Sequence, residues 1–185
     1  MAPLMTLRTA FHKQEIRRSR MHDALRIVVR AVDGVNWLVG WLLAALLLVM
    51  SVLISWQVFA RYVMGSSLSF SEEVSRFSMV WMAMLGAAYA YRYGSLIAVD
   101  LLTMLSGPKI SRILRLTVAA ASCLFAFVLL TQGWALTERV ASQTAPSTRV
   151  SMAWLYGSMP AGAALIFLNA IAIIAQDFVD ERKAA

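Results

Sequence analysis

The sequence is short of nearly everything a small enzyme or a secreted domain is built from. Among 185 residues there are one cysteine, two histidines and four prolines, and only 15% of the chain is charged. The single thiol, Cys123, lies inside an apolar run, so an intramolecular disulfide is excluded and the residue reads as a small buried hydrophobe. His12 and His22 both fall in the N-terminal arm. No Asp, Glu, Lys, Arg or His occurs within residues 34–60, 77–91, 116–137 or 150–176. Proton relays, metal centres and intramembrane proteolysis all need ionisable or coordinating groups at depth, and such groups are expensive in a membrane. These apolar stretches therefore carry no catalytic or ion-binding constellation, and neither an enzyme nor a cofactor is expected.

What the chain does have is apolar surface. At 60% hydrophobic residues and a mean hydropathy of +0.68 it is too apolar for one soluble core of its size, and a bilayer is its natural solvent. The net charge of +7 does not point to nucleic acid. The basic residues crowd into Arg8 to Arg30 and then recur between hydrophobic blocks, which is how membrane topology is encoded. The first apolar run begins near Val35 and is too long for a signal-peptide core, so the whole chain is expected to be mature protein.

The pattern predicts an all-α integral membrane protein with four transmembrane helices, at about 35–60, 72–92, 112–137 and 150–176. The second span is the short one. Its uncharged part, Phe77 to Tyr91, is about 15 residues and reaches only ~22 Å, so it must borrow the turn from Glu72 to Arg76. Gly157, Pro160 and Gly162 predict a kink near the start of the fourth. Thirteen of the 17 Lys and Arg lie in segment 1–34, the 92–115 connection or the C-terminus. The other two connections hold only Arg61, Arg76, Arg139 and Arg149. That bias places both termini in the cytoplasm. Trp37, Tyr62, Tyr91, Tyr93, Trp134 and Trp154 near the span ends suit interfacial belts.

Two further segments read as amphipathic. Ile97, Leu101, Met104 and Leu105 recur at helical spacing, which predicts a cytoplasmic interfacial helix over about 95–106, between spans 2 and 3, ended by Gly107 and Pro108. Glu15 to Asp33 mixes Ile16, Leu25, Val28 and Val32 with Arg17, Arg18, Arg20, Arg26 and Arg30, as a helix lying on anionic lipid does; the part before Met21 reads equally as a solvated tail. The chain thus divides into a basic arm (1–34), a four-helix membrane domain (35–178) and a short tail (179–185).

Within the spans, Ser51, Ser55, Gln57, Ser122, Thr131, Gln132 and Asn169 read as interhelical hydrogen bonders. Close helix contacts are expected at Ala83 and Ala87, Gly86 and Ala90, and Gly157 and Ala161. The densest polar cluster, Ser69 to Arg76, opens the second span. Ser69 can cap that helix, Glu72 and Glu73 sit at its positive end, and Arg76 can pair with either carboxylate. Arg61, at the end of the first span, is a candidate neighbour of the same carboxylates. The cluster also reads as an ordinary solvated helix start.

Phe59 to Val63, Ser67 to Ser69, Glu72, Glu73, Arg76, Trp81 and Leu85 to Ala87 follow one another in an order that resembles the small membrane subunit of tripartite ATP-independent periplasmic (TRAP) transporters. The resemblance continues through Gly94, Ile97, Val99, Asp100, Gly107 and Pro108 to Met152, Tyr156 and Pro160. It implies an inner-membrane scaffold subunit held in a stable complex with a large permease subunit that carries the substrate and sodium sites. A periplasmic solute-binding protein would deliver an organic acid such as a C4-dicarboxylate, a keto acid or sialic acid. The sequence departs from the family at Leu96, where His is common, so no role tied to that His is implied. On this reading Arg61, Glu72, Glu73 and Arg76 order the outer rim, and Asp100 anchors the cytoplasmic interfacial helix. The competing readings are an autonomous carrier or channel and a membrane sensor or assembly factor.

Overall fold

A computed structural model describes the backbone of residues 3–65, 69–105 and 108–181, and the side chains of residues 26–65, 69–94, 110 and 112–176. The elements are α1 (Pro3–Val63), α2 (Ser69–Leu105), α3 (Pro108–Arg139), α4 (Ala153–Tyr156) and α5 (Ser158–Glu181), with no strand among the described residues. Helix is what an apolar chain must form where water cannot satisfy its backbone, since every N–H and C=O then pairs within one segment. Among the described residues three stretches, Arg26–Val63, Arg112–Arg139 and Ala153–Gln176, are long and apolar enough to cross a membrane. The uncharged stretch of α2 is bounded by Arg76 and Arg92 at residues 77–91 and diluted by Ser78, Trp81, Tyr89 and Tyr91, and α2 is not among them.

The breaks follow local chemistry. Past α1 the backbone of Gly65 turns to φ +65°, a left-handed conformation that stops a helix and suits a residue without Cβ. Pro108 opens α3, at the helix position where a missing N–H costs nothing. Gly157 separates α4 from α5, three residues before Pro160, whose ring nitrogen has no proton for the Tyr156 carbonyl. This interruption falls where Gly157, Pro160 and Gly162 predict a kink.

One expectation is corrected. The segment from Ser95 onward is not a separate interfacial helix, because α2 continues unbroken through it to Leu105. A single glycine, Gly94, costs a helix only about 1 kcal/mol, and no proline intervenes before Pro108. At ~1.5 Å per residue the 37 residues of α2 extend ~55 Å, well beyond a hydrocarbon layer of ~30 Å. In the same way α1 joins the expected arm and first span into one helix.

α5 lies at the centre, against α3, α2 and α1, while α1 also packs along α2. Leu85, Ala88, Ala126, Leu165 and Ile166 form the buried core, with Val39, Leu43, Trp81, Tyr91 and Phe167 against it. Small residues set the approach. A Cβ on Gly162 would lie 3.0 Å from both Cβ and the carbonyl oxygen of Met84, and one on Gly133 would lie 3.2 Å from Met159 and Pro160. Helices in lipid gain their association from such van der Waals contact, because apolar burial itself drives little there. On α3, Ala119, Ala126 and Gly133 turn inward at intervals of seven. On α1 the inward residues run Val32, Asn36, Val39, Leu43 and on to Ala60 at alternating steps of four and three. That 3.5-residue period keeps one narrow seam facing a neighbour. The small residues Ala83, Ala87 and Ala90 instead face outward, and Gly162 of α5 lies close against α2 at Met84.

The contacts also fix direction. Asn169 and Gln176 of α5 meet Ala88 and Arg92 of α2, while Trp154 just before α5 meets Trp81 near the start of α2, so these helices run parallel. Along α1 the order is reversed, with Gly40 against Tyr89 and Leu43 against Gly86.

Candidate functional site

Among the described residues, the polar groups that bridge helices cluster toward the two ends of this bundle. At one end, Asn36 and Asn169 are completely buried and bond reciprocally: Asn36 Nδ2 donates to Asn169 Oδ1 at 2.6 Å, and Asn169 Nδ2 donates to Asn36 Oδ1 at 3.1 Å. Their remaining protons go to backbone carbonyls, Asn36 to Val32 (2.8 Å) and Asn169 to Ala88 (2.9 Å). One turn further along, Arg92 donates from Nε (3.1 Å) and Nη2 (2.8 Å) to Asp33 Oδ1, and from Nη1 to Gln176 Oε1 at 3.1 Å. The Arg92 side chain is 5% exposed, whereas Asp33 is 47% exposed. The guanidinium is thus desolvated while its counter-ion keeps part of its hydration. Together these residues tie α1, α2 and α5 into one register, since a shift of any helix would strand a buried donor.

At the other end, residues 140–152 fold into a tight connection. Ala145 N–H donates to the Val150 carbonyl at 2.9 Å, Met152 N–H to the Gln143 carbonyl at 2.8 Å, and Arg149 turns to φ 54° between them. α2 holds this connection in place. The Thr148 N–H donates to Glu73 Oε2 at 2.6 Å, and Trp81 Nε1 donates to the Trp154 carbonyl at 2.8 Å. Between α2 and the connection lies a cleft of about 520 Å³, lined by Ser69, Glu72, Glu73, Arg76, Pro146 and Tyr156 among others.

Of the residues singled out from sequence, Arg76 pairs with Glu72 at 3.3 Å, with both side chains well exposed. Glu73 is not paired with Arg76; it binds the backbone of residue 148 instead. Arg61 is exposed and joins neither carboxylate. Asp100 lies on α2, but its side chain falls outside the described residues, as do those of the arm up to residue 25 and of Arg182 and Lys183. Asn169 bridges helices as expected, and Ser122 shares a side-chain hydrogen bond with Tyr91. Ser51 and Thr131 turn back onto carbonyls of their own helices.

Arg92 is where sequence reasoning went astray, by counting it as a free cationic loop charge. The signal that could have found it is the placement of opposite charges at the borders of the first two apolar runs: Asp33 precedes one and Arg92 follows the other, at the same end of an antiparallel pair.

A bundle of long apolar helices with polar clusters toward its ends defines a membrane protein. Residues 50–180 match the family of tripartite ATP-independent periplasmic transporters, DctQ component. The C4-dicarboxylate TRAP transporter small permease protein DctQ of Rhodobacter capsulatus is 33% identical over 105 residues, 55% of this chain and 46% of that protein. A putative TRAP transporter small permease protein of Haemophilus influenzae is 28% identical over 90 residues, 49% of this chain and 56% of its own length. The alignments span about half the length of these curated relatives. The chain belongs to the DctQ-component family of these transporters, the family of TRAP small permeases.

Proposed function

We propose that this chain is the scaffold subunit of a sodium-coupled TRAP transporter for an organic acid, such as a C4-dicarboxylate, a keto acid or sialic acid. It works by position: it holds a large permease subunit in the bilayer, while a periplasmic solute-binding protein delivers substrate. Sodium and substrate bind in the large subunit. The observation that carries this reading is the clustering of the helix-bridging polar groups Asn36, Asn169, Asp33, Arg92 and Glu73 toward the two ends, with close-packed small residues such as Gly133 and Gly162 holding the helices together. Such a body is built for rigidity, which suits a fixed support against which a partner moves.

In this reading α2 is the fourth crossing. Glu73 and Arg92 are 19 residues apart (92 − 73), a rise of ~28 Å that matches a hydrocarbon layer of ~30 Å. The parallel run of α2 and α5 and the reversed run of α1 fit the alternation of four spans. Both termini are then cytoplasmic by the basic-residue bias. The Glu73 end faces the periplasm, where Arg61, Glu72, Glu73 and Arg76 form the rim, and the part of α2 carrying Asp100 extends past the hydrocarbon layer on the cytoplasmic side.

The test is sodium-dependent uptake by cells or liposomes containing the neighbouring permease and binding protein, with and without this chain, alongside copurification of the two membrane subunits. Uptake requires the chain, and the chain alone moves nothing. Undiminished uptake in its absence, or flux from the chain by itself, overturns the reading.

A further inference from the structure

Between α1 and α2, next to the Asp33–Arg92 pair, lies an aromatic groove that none of the contacts above explains. It is lined by Trp37, Gly40, Trp41 and Ala44 of α1 and by Tyr89 and Tyr93 of α2, and encloses about 320 Å³. That is the lower end of the ~300–1,000 Å³ range of small-molecule clefts. Trp37 is 62% exposed and Trp41 65%, stacked edge to face at 6.2 Å, and Tyr89 and Tyr93 stack at 4.7 Å on the opposite wall. Gly40 forms the floor: a Cβ there would come within 3.2 Å of the Tyr89 ring, so a larger residue would close the groove.

Two arginines share the face of α1 that lines it. Arg26, Arg30, Trp37, Trp41 and Ala44 follow at steps of four, seven, four and three, and Arg26 and Arg30 are both exposed. Arg30 stands seven residues before Trp37, a rise of ~10 Å, comparable with one headgroup layer of ~5–8 Å plus the reach of its side chain. Among the described residues of this end of α1 the acidic group is Asp33, and it is paired with Arg92. The surface therefore presents, in order along the membrane normal, two cations, a compensated ion pair and an apolar aromatic slot.

We infer that this groove is a binding site for one anionic phospholipid, with an acyl chain lying between Trp41 and Tyr93 and the headgroup phosphate between Arg26 and Arg30. The inference rests on the chain's placement in a membrane and not on its having a permease partner. A zwitterionic lipid would fill the same slot, but its headgroup carries no net charge for the two guanidinium groups. Each arginine beside an anionic headgroup is worth up to roughly five-fold in affinity, and because both are exposed and partly screened by solvent their joint preference for the anionic lipid is on the order of ten-fold rather than the full product of about 25-fold.

The full-length chain, purified in detergent, is mixed with equimolar phosphatidylglycerol and phosphatidylcholine of matched acyl chains, and retained lipid is counted by native mass spectrometry. One phosphatidylglycerol is retained about ten-fold over phosphatidylcholine. Arg26→Gln/Arg30→Gln brings the ratio to near parity, and Ala44→Trp, which fills the slot from its exposed side, lowers retention of both lipids. Equal retention by the parent protein, or an unchanged ratio in the double arginine variant, overturns the site. Loss of the bound lipid when the chain is copurified with its permease also overturns it, because the groove is then a protein contact. Retention of phosphatidylglycerol by a chain that fails to copurify with any permease sinks the scaffold reading and leaves this site standing.

Discussion

α1 and α5 are both apolar helices of the same bundle, and they do opposite things with that property. The most apolar window of α1 has a mean hydropathy of 2.6, and none of it is buried within the chain; that of α5 is lower, at 1.9, yet 56% of it is buried. In water the ranking would be reversed. In a bilayer the outer surface is the part that must be most oily, and the interior is selected for small size and for a few satisfied polar groups. α5 accordingly supplies Gly162, Ala163, Ala170 and Ala172 to the centre, with Asn169 among them. α1 offers the core one narrow seam and turns Trp37, Leu48, Val52 and Trp56 outward.

The contrast can be broken most forcefully at Gly162. Gly162→Leu drives a side chain into the Met84 backbone and costs about 3 kcal/mol by overpacking, seen as loss of monodisperse elution and a lower thermal midpoint in detergent. Leu48→Phe, an enlargement of similar kind on the exposed face of α1, leaves both unchanged. Next in size are the buried polar groups. Asn169→Leu strands the Asn36 amide and costs about 2 kcal/mol, whereas Asn36→Leu/Asn169→Leu costs less than the two single changes added together. A thermal-shift double-mutant cycle measures the difference, and strict additivity would mean that the pair is not a unit. Smaller is Glu73→Ala, which releases the Thr148 N–H, costs about 1 kcal/mol and speeds proteolysis within residues 140–152 without altering the rest of the bundle. Smallest is Glu72→Ala: its partner Arg76 is solvated, so stability changes by about 0.5 kcal/mol or less in the same thermal assay.

Much of this was legible in the residues. The long apolar helices, the break at Gly157 and the bridging role of Asn169 follow from charge-free lengths, from proline's missing N–H and from the cost of a lone amide among hydrocarbon. The rim was half legible. A spacing of four predicts the Glu72–Arg76 pair, but no spacing rule could join Glu73 to residue 148, because that contact exists only once α3 and α5 bring the connection back over α2. The outward turn of Ala83 and Ala87 was missed for a related reason. Small residues permit close approach without choosing it, and Gly162 met Met84 instead.

By itself, the sequence determined that the chain is membrane-embedded helix and which family it belongs to, because both are properties of local composition and of residue order. Tertiary structure alone decided which apolar face is interior, and that Arg92 is a buried lock holding Asp33 and Gln176 rather than a solvated loop charge. The physical reason is that lipid and protein interior are almost equally apolar. Hydropathy puts a helix into the membrane but cannot say what it faces there; shape and hydrogen-bond complementarity between helices make that choice.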